Sequence, residues 1–126
     1  MKKVIATGKA PKAVGPYSQA IEANGTLYIS GQLGIDPETG TLVEGIEKQT
    51  EQVLKNIGAI LEAGGCTYKN IVKCTVLLEN MDNFKTVNEI YGRFFAEQPP
   101  ARAAYGVVKL PLGGLIEMEA IAVKNN

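Results

Sequence analysis

One arginine in the chain stands in unusual company. Residues 97–111 read EQPPARAAYGVVKLP, with Arg102 preceded by Ala101 and two prolines and followed by Ala103, Ala104, Tyr105 and Gly106. On an alternating strand Arg102 shares a face with Ala104, Gly106, Val108 and Leu110. Its nearest same-side neighbours are therefore tiny, which leaves room around a guanidinium able to bind a planar carboxylate in bidentate fashion. Spacing alone favours the plainer alternative, a surface or interface ion pair with Asp or Glu. Glu117 and Glu119 raise a second question. They lie in LIEMEAIAV and share a strand face with Ile121 and Val123. Carboxylates in so apolar a strand are costly unless paired or functional. A partly desolvated one has its pKa raised and can hold or transfer a proton. An edge strand with its glutamates in water, or paired with Arg102 or a lysine, is an equal alternative. Tyr17, Ser30 and the N–H of Gly31 could form a hydrogen-bonding wall, though each residue type is usually structural. Asn88 falls on an apolar helical stripe, where a satisfied core amide is the commoner role.

Other chemistries are excluded by what the sequence lacks. It has no histidine, which removes imidazole-based triads and imidazole metal sites together. Cys66 and Cys74 match no zinc or redox spacing. There is no GxGxxG after a strand, no GxxxxGK[ST], no GxSxG and no metal-spaced carboxylate cluster. No cofactor and no metal are expected. Thirteen basic side chains balance thirteen acidic ones, with no basic run, so nothing pulls the chain toward nucleic acid or an anionic membrane. The N-terminal MKKVIATGKAPK lacks the apolar core of a secretion signal, and no apolar run reaches membrane-spanning length. A cytoplasmic protein with reduced thiols is expected. The 126 residues, 45% of them hydrophobic, suffice for one domain over 1–126 and not for two.

These side chains must be positioned by a mixed sheet with helices. VIATG reads as a short first strand. Asn24-Gly25 between two β-compatible runs signals a type I′ hairpin. With Ala23 opposite Thr26, Gln19 faces Ser30 and Tyr17 faces Gln32. These four then lie on one face, and Ala20, Leu27 and Ile29 on the other. Residues 35–44 read as a loop. The period of Thr50, Val53, Leu54, Ile57, Ile60 and Leu61 predicts a helix over 46–63, ended by Gly64-Gly65. NIVKCTVLLE is a central strand. Asp82 can cap a second helix running to about Ala96, with Phe84, Val87, Tyr91, Phe94 and Phe95 inward. Two strands, 103–110 and 115–123, close the chain. The order is β-β-β-α-β-α-β-β, an α/β (α+β) mixed sheet, part of it parallel because strand–helix–strand crossovers occur twice. Two helices cover one face only. The other face keeps apolar side chains that call for a partner, so a symmetric oligomer follows.

At GPYSQA, YISGQLGIDPETG, VNEIYGRFF, PPARAAYGVVKLP and IEMEAIAV, the sequence resembles the RidA (YjgF-type) family along essentially its whole length. The resemblance implies a chorismate-mutase-like fold, a homotrimer with sites in the clefts between subunits, and cofactor-free hydrolysis of enamine/imine intermediates. Small 2-imino or 2-enamino acids would become 2-oxo acids and ammonia. By the same resemblance Arg102 clamps the substrate carboxylate, and Glu117 positions a water or assists proton transfer. Tyr17, Ser30, Gly31 and Asn88 line the site. One departure is visible: the cysteine that deaminating members commonly carry two residues after the arginine is Ala104 here. A backbone and shape role at that position tolerates alanine, since imine hydrolysis needs no thiol nucleophile. A non-catalytic carboxylate-binding or regulatory trimer is the alternative. A translation-inhibiting or ribonuclease role fits the neutral charge less well.

Overall fold

Residues 1–125 are described by the computed structural model. Strand β1 spans Lys3–Ile5, β2 Ala20–Ala23 and β3 Thr26–Leu33; the first is displaced toward the N-terminus from the expected VIATG. Asn24 and Gly25 join β2 to β3 with φ of 51° and 78°, the left-handed pair a type I′ turn requires. Ala23 faces Thr26 and Ala20 faces Ile29. The Ser30 N–H still donates to Gln19 O at 2.9 Å.

The pairing of Tyr17 with Gln32 does not form. Strand β2 starts only at Ala20, and β3 carries a bulge. Its ladder with the last strand runs from Ile29–Ala120 to Gln32–Met118, so Ser30 and Gly31 together oppose Glu119. One extra residue reverses the facing of everything after it. Gln32 is thereby carried to the buried face, and Leu33 comes to lie beside Glu117.

The loop expected next contains a small ribbon, β4 (Ile35–Asp36) and β5 (Thr41–Leu42). Asp36 Oδ1 accepts from the Glu38 N–H at 2.9 Å and tightens its turn. Helix α1 spans Gly45–Ala63, and the whole predicted stripe is fully buried. Gly65, at φ 78°, takes the left-handed conformation after the helix end. Strand β6 is Ile71–Leu78, and helix α2 is Phe84–Phe94. Asp82 does not cap α2. The Asn80 side chain instead accepts the Asp82 N–H at 2.9 Å, opening a single 3-10 turn over Met81–Asn83 that leads into the helix. The helix stops at Phe94, short of Ala96. Phe95 has left helical geometry, and its ring packs 4.5 Å from that of Tyr91.

Strands β7 (Ala101–Gly106) and β8 (Ile116–Val123) complete the sheet. The strand expected over 103–110 thus begins and ends earlier, and Val108 lies fully exposed outside it. The sheet order is β1-β2-β3-β8-β6-β7. All neighbours are antiparallel except β6 and β7. Of the two strand–helix–strand crossovers, only β6–α2–β7 makes a parallel ladder, because β8 inserts between β3 and β6.

The alternation of β8 decides which face is which. Ile116, Met118, Ala120 and Ala122 are buried in the core that contains Val53, Leu54, Ile57 and Ile60 of α1 and Val87 and Ile90 of α2. Burying each of the larger aliphatic side chains contributes about 1.5–3 kcal/mol. Both helices therefore cover one face, as expected. Across the other face Val4, Ile21, Tyr28 and Ile121 stand side by side on four strands. Val4 and Tyr28 are more than half exposed, as is Tyr105 on the same face at the opposite edge of the sheet.

Candidate functional site

The helix-free side of the sheet carries a cleft of about 770 Å³. Its polar floor comes from the β3 bulge and from β8: Ser30, Gly31, Glu117 and Glu119 line it. Tyr17 stands at its edge, half exposed, in an irregular segment braced by its own N–H donating to Gly15 O at 2.8 Å. Leu33, Ile35 and Leu112 form an apolar wall. Leu112 sits in the left-handed region at φ 60°, a strained conformation for leucine that sets its exposed side chain in that wall.

Glu117 is the electrostatic centre of the cleft. Burial raises its carboxyl above the ordinary carboxylate range, and the negative charge of Glu119, its neighbour along the same strand face, adds to the rise. Gly31 makes its position possible. A Cβ at residue 31 would lie 2.7 Å from Glu117 Oε2 and 3.0 Å from its Cδ, so the carboxylate occupies space that any other residue would fill. Gly31, expected as an N–H donor, is in the structure the seat of the carboxylate. Ser30 donates its hydroxyl to Ser18 O at 2.6 Å. Its proton is engaged, and its lone pairs remain to accept from a ligand.

The rim has a support that the residue types did not announce. Gln19 is buried, with Oε1 accepting from the Thr7 N–H at 2.7 Å and Nε2 donating to Pro11 O at 2.8 Å and Thr7 O at 3.1 Å. These bonds fix residues 7–11, and beyond them Pro11, Lys12 and Val14 border the cleft. A polar residue at the open end of the hairpin was the only sequence signal for it.

Arg102, Asn88 and Ala104 do not line this cleft. Arg102 pairs with Cys74 and Ala104 with Val76 in the β6–β7 ladder, on the face that the helices cover. Arg102 is exposed at the sheet edge, with Nη1 donating to Asn88 Oδ1 at 2.7 Å. Its guanidinium carbon stands 4.9 Å from the centroid of Tyr91 and 5.3 Å from that of Phe84. Among the described residues it forms no salt bridge, so pairing with Glu117 or Glu119 of the same chain does not occur. The room beside it, attributed to small strand neighbours, is occupied by α2. Asn88 is a partner of the arginine and not an isolated core amide. Ala104 packs half-buried against the core. Cys74 neighbours Arg102 but is wholly buried. Burial pushes its thiol pKa up, against smaller opposing effects of the Tyr91 hydroxyl and the Arg102 charge. It cannot replace a reactive cysteine at position 104.

Among the described residues there is no cluster of three or more side chains able to hold a metal ion, and no helix long and apolar enough to cross a membrane.

Known proteins place the chain in a family. The family model described as Endoribonuclease L-PSP matches residues 7–124. The mouse protein named 2-iminobutanoate/2-iminopropanoate deaminase is 55% identical over 125 residues, covering 98% of this chain and 93% of its own. The Arabidopsis thaliana protein named Reactive Intermediate Deaminase A, chloroplastic, is 55% identical over 96% of this chain and 65% of its own. The crystal structure of RidA from the Antarctic bacterium Psychrobacter sp. superposes with a TM-score of 0.94 at 49% identity, covering 96% of this chain and 98% of that one. A shared fold, near-complete coverage and about half of all residues identical lead to one conclusion: the chain belongs to the Endoribonuclease L-PSP family, that of the RidA/YjgF proteins.

Proposed function

We propose that this protein is a cofactor-independent deaminase, a single domain that hydrolyses 2-iminobutanoate and 2-iminopropanoate to 2-oxo acids and ammonia. The observation that carries the reading is Glu117: a carboxyl whose protonation burial favours, seated over Gly31 in a cleft polar on one side and apolar on the other. Full-length relatives named for this activity support it.

The chemistry asks little of the protein. Water adds to the imine carbon, a proton passes to nitrogen, and the tetrahedral adduct expels ammonia as the carbonyl forms. Glu117 in its ionised form orients the water and takes its proton; once protonated it returns that proton to the departing nitrogen. Tyr17 and Ser30 hold the polar end of the substrate, and the apolar wall accepts its methyl or ethyl group. Arg102, steadied by Asn88, clamps the substrate carboxylate, and Ala104 contributes shape. The imine is intrinsically reactive, so orientation and a modest electrostatic push suffice.

Arg102 and Glu117 lie on opposite faces of one sheet, so we assign each site to two subunits of a homotrimer, Arg102 coming from one and Glu117 from its neighbour. The exposed apolar row Val4–Ile21–Tyr28–Ile121 supports a second copy on that face. A cytoplasmic location fits two free cysteines. A nucleic-acid substrate fits poorly with zero net charge and with two glutamates on the cleft floor, which would repel phosphates.

The test generates the imine with an amino-acid dehydratase and follows 2-oxo acid release. The protein should accelerate release above the spontaneous rate, and Arg102→Ala should lower kcat/KM by about 100-fold or more, the loss of a charge-assisted bidentate contact. No acceleration by the wild-type protein would remove the enzymatic reading. An unimpaired Arg102→Ala variant would remove the carboxylate clamp.

A further inference from the structure

Arginine is a flexible side chain, and a clamp on a small acid works best when its geometry is fixed before the ligand arrives. On an exposed edge strand nothing in the strand itself fixes Arg102. Helix α2 does. Phe84, Asn88 and Tyr91 are spaced four and three residues apart, so they stack along one side of the helix. Asn88 takes one guanidinium N–H at 2.7 Å. The Tyr91 and Phe84 rings lie within cation–π distance, 4.9 Å and 5.3 Å from the guanidinium carbon.

Tyr91 is itself held. It is buried, with its ring 4.5 Å from Phe95. Phe95 in turn meets Tyr68 edge-on at 6.0 Å, and the Tyr68 hydroxyl donates to Leu54 O of α1 at 2.6 Å. Among the described residues the Tyr91 hydroxyl finds no oxygen or nitrogen partner; its neighbour is the Cys74 thiol. Burying a hydroxyl without a full partner is unfavourable, so the packing of the ring must outweigh that cost. The face of the ring is the part the arginine uses.

We propose that Tyr91, with Phe84 as a second wall, is a positioning residue for carboxylate recognition: it holds the Arg102 guanidinium against α2 so that the N–H groups not taken by Asn88 point to an incoming 2-oxo or 2-imino acid. This rests on the carboxylate role given to Arg102 above. The pre-formed arginine serves ground state and transition state alike, so the loss of Tyr91 raises KM and leaves kcat nearly unchanged.

The experiment compares Tyr91→Leu with Tyr91→Phe in the dehydratase-coupled assay, and measures 2-oxobutanoate binding by calorimetry. Tyr91→Leu should raise KM and weaken 2-oxobutanoate binding by about five- to tenfold each, the range of one cation–π contact, with kcat within about twofold. Tyr91→Phe keeps the ring and should rescue both. If Tyr91→Leu is folded and KM and binding are unchanged, or if Tyr91→Phe loses as much as Tyr91→Leu, the positioning role is overturned. Should Tyr91→Leu not fold, Phe84→Leu at the less buried helix start must give a smaller loss in the same direction; no loss there overturns the proposal equally. Calorimetry keeps the two readings apart. A wild-type protein that binds 2-oxobutanoate through Arg102 but does not deaminate leaves the aromatic support standing while the enzymatic reading falls. A wild-type protein that does not bind the acid overturns the support as well.

Discussion

Glu117 is the residue whose usefulness has a cost. Its carboxyl binds a proton more tightly in the folded chain than in the unfolded one, because burial and the Glu119 charge both oppose ionisation. Such a group contributes stability in full at pH below its unfolded pKa and loses that contribution as pH rises through its folded pKa. Above its folded pKa the ionised carboxylate therefore weakens the fold. Glu117→Gln removes the charge and keeps the shape over Gly31. Melting at pH 7 should rise by at most about 3 °C, given that the partly exposed site screens much of the charge. The gain should vanish as pH falls through the ordinary carboxylate range, where the wild-type carboxyl becomes neutral like the amide. Deamination should drop by about 100-fold or more, the usual share of a general acid–base. Equal melting temperatures of the two proteins across that pH range would contradict the burial account. The residue types around Glu117 were readable in the sequence, where an acid in an apolar strand already asks for a reason. That Gly31 makes room for its carboxylate was not, because the two residues are far apart in the chain and meet only through the β3–β8 ladder.

At the scale of elements, local signals and nonlocal ones part company. The Asn24-Gly25 turn declared itself because both of its residues must be left-handed, a property of two adjacent side chains. Helix α1 declared itself through an unbroken apolar period. Yet two of its buried positions are amides, Gln49 and Asn56, and these do work the period cannot reveal. Gln49 Oε1 accepts the Leu115 N–H at 2.9 Å, and its Nε2 donates to Val43 O at 3.0 Å. Asn56 Nδ2 donates to Ile35 O at 2.9 Å and to Leu33 O at 3.2 Å. Leu33 and Ile35 are the apolar wall of the cleft, so α1 fixes that wall from beneath. The β3 bulge was equally hidden, since it depends on the partner strand β8 and reverses the facing of Gln32. Arg102, opposite the core-facing Cys74 in the β6–β7 ladder, turns toward α2 and meets the aromatic side of that helix, which its own sequence neighbours do not reveal. Asn56→Leu tests the wall's support. It strips the donor from two backbone carbonyls and should destabilise the fold by about 1–3 kcal/mol in denaturant melts. The largest rise in amide exchange should fall over 33–36. Unchanged exchange there would show that the wall is held by other contacts.

For the whole molecule, the decisive fact is that Arg102 and Glu117 sit on opposite faces of one sheet with β6 between their strands. A single chain cannot close them on one small acid. A cyclic trimer with heterologous contacts can, because each subunit then offers one patch to its left neighbour and a different one to its right. In the sequence the apolar face left uncovered points to an oligomer, but not to which residues from each copy would meet. Two inactive variants decide it. Arg102→Ala and Glu117→Gln, each alone, should deaminate poorly. Unfolded and refolded together in equal amounts, they should form mixed trimers in which one interface pairs an intact Arg102 with an intact Glu117. Random assembly restores roughly one quarter of wild-type sites. Light scattering should report trimers throughout, which separates failure to assemble from failure to complement. Trimers with no recovered activity would mean that both residues serve one and the same subunit's site. Recovery near a quarter would make the subunit boundary itself part of the active site, and would explain why the cleft of one chain holds an acid and no arginine.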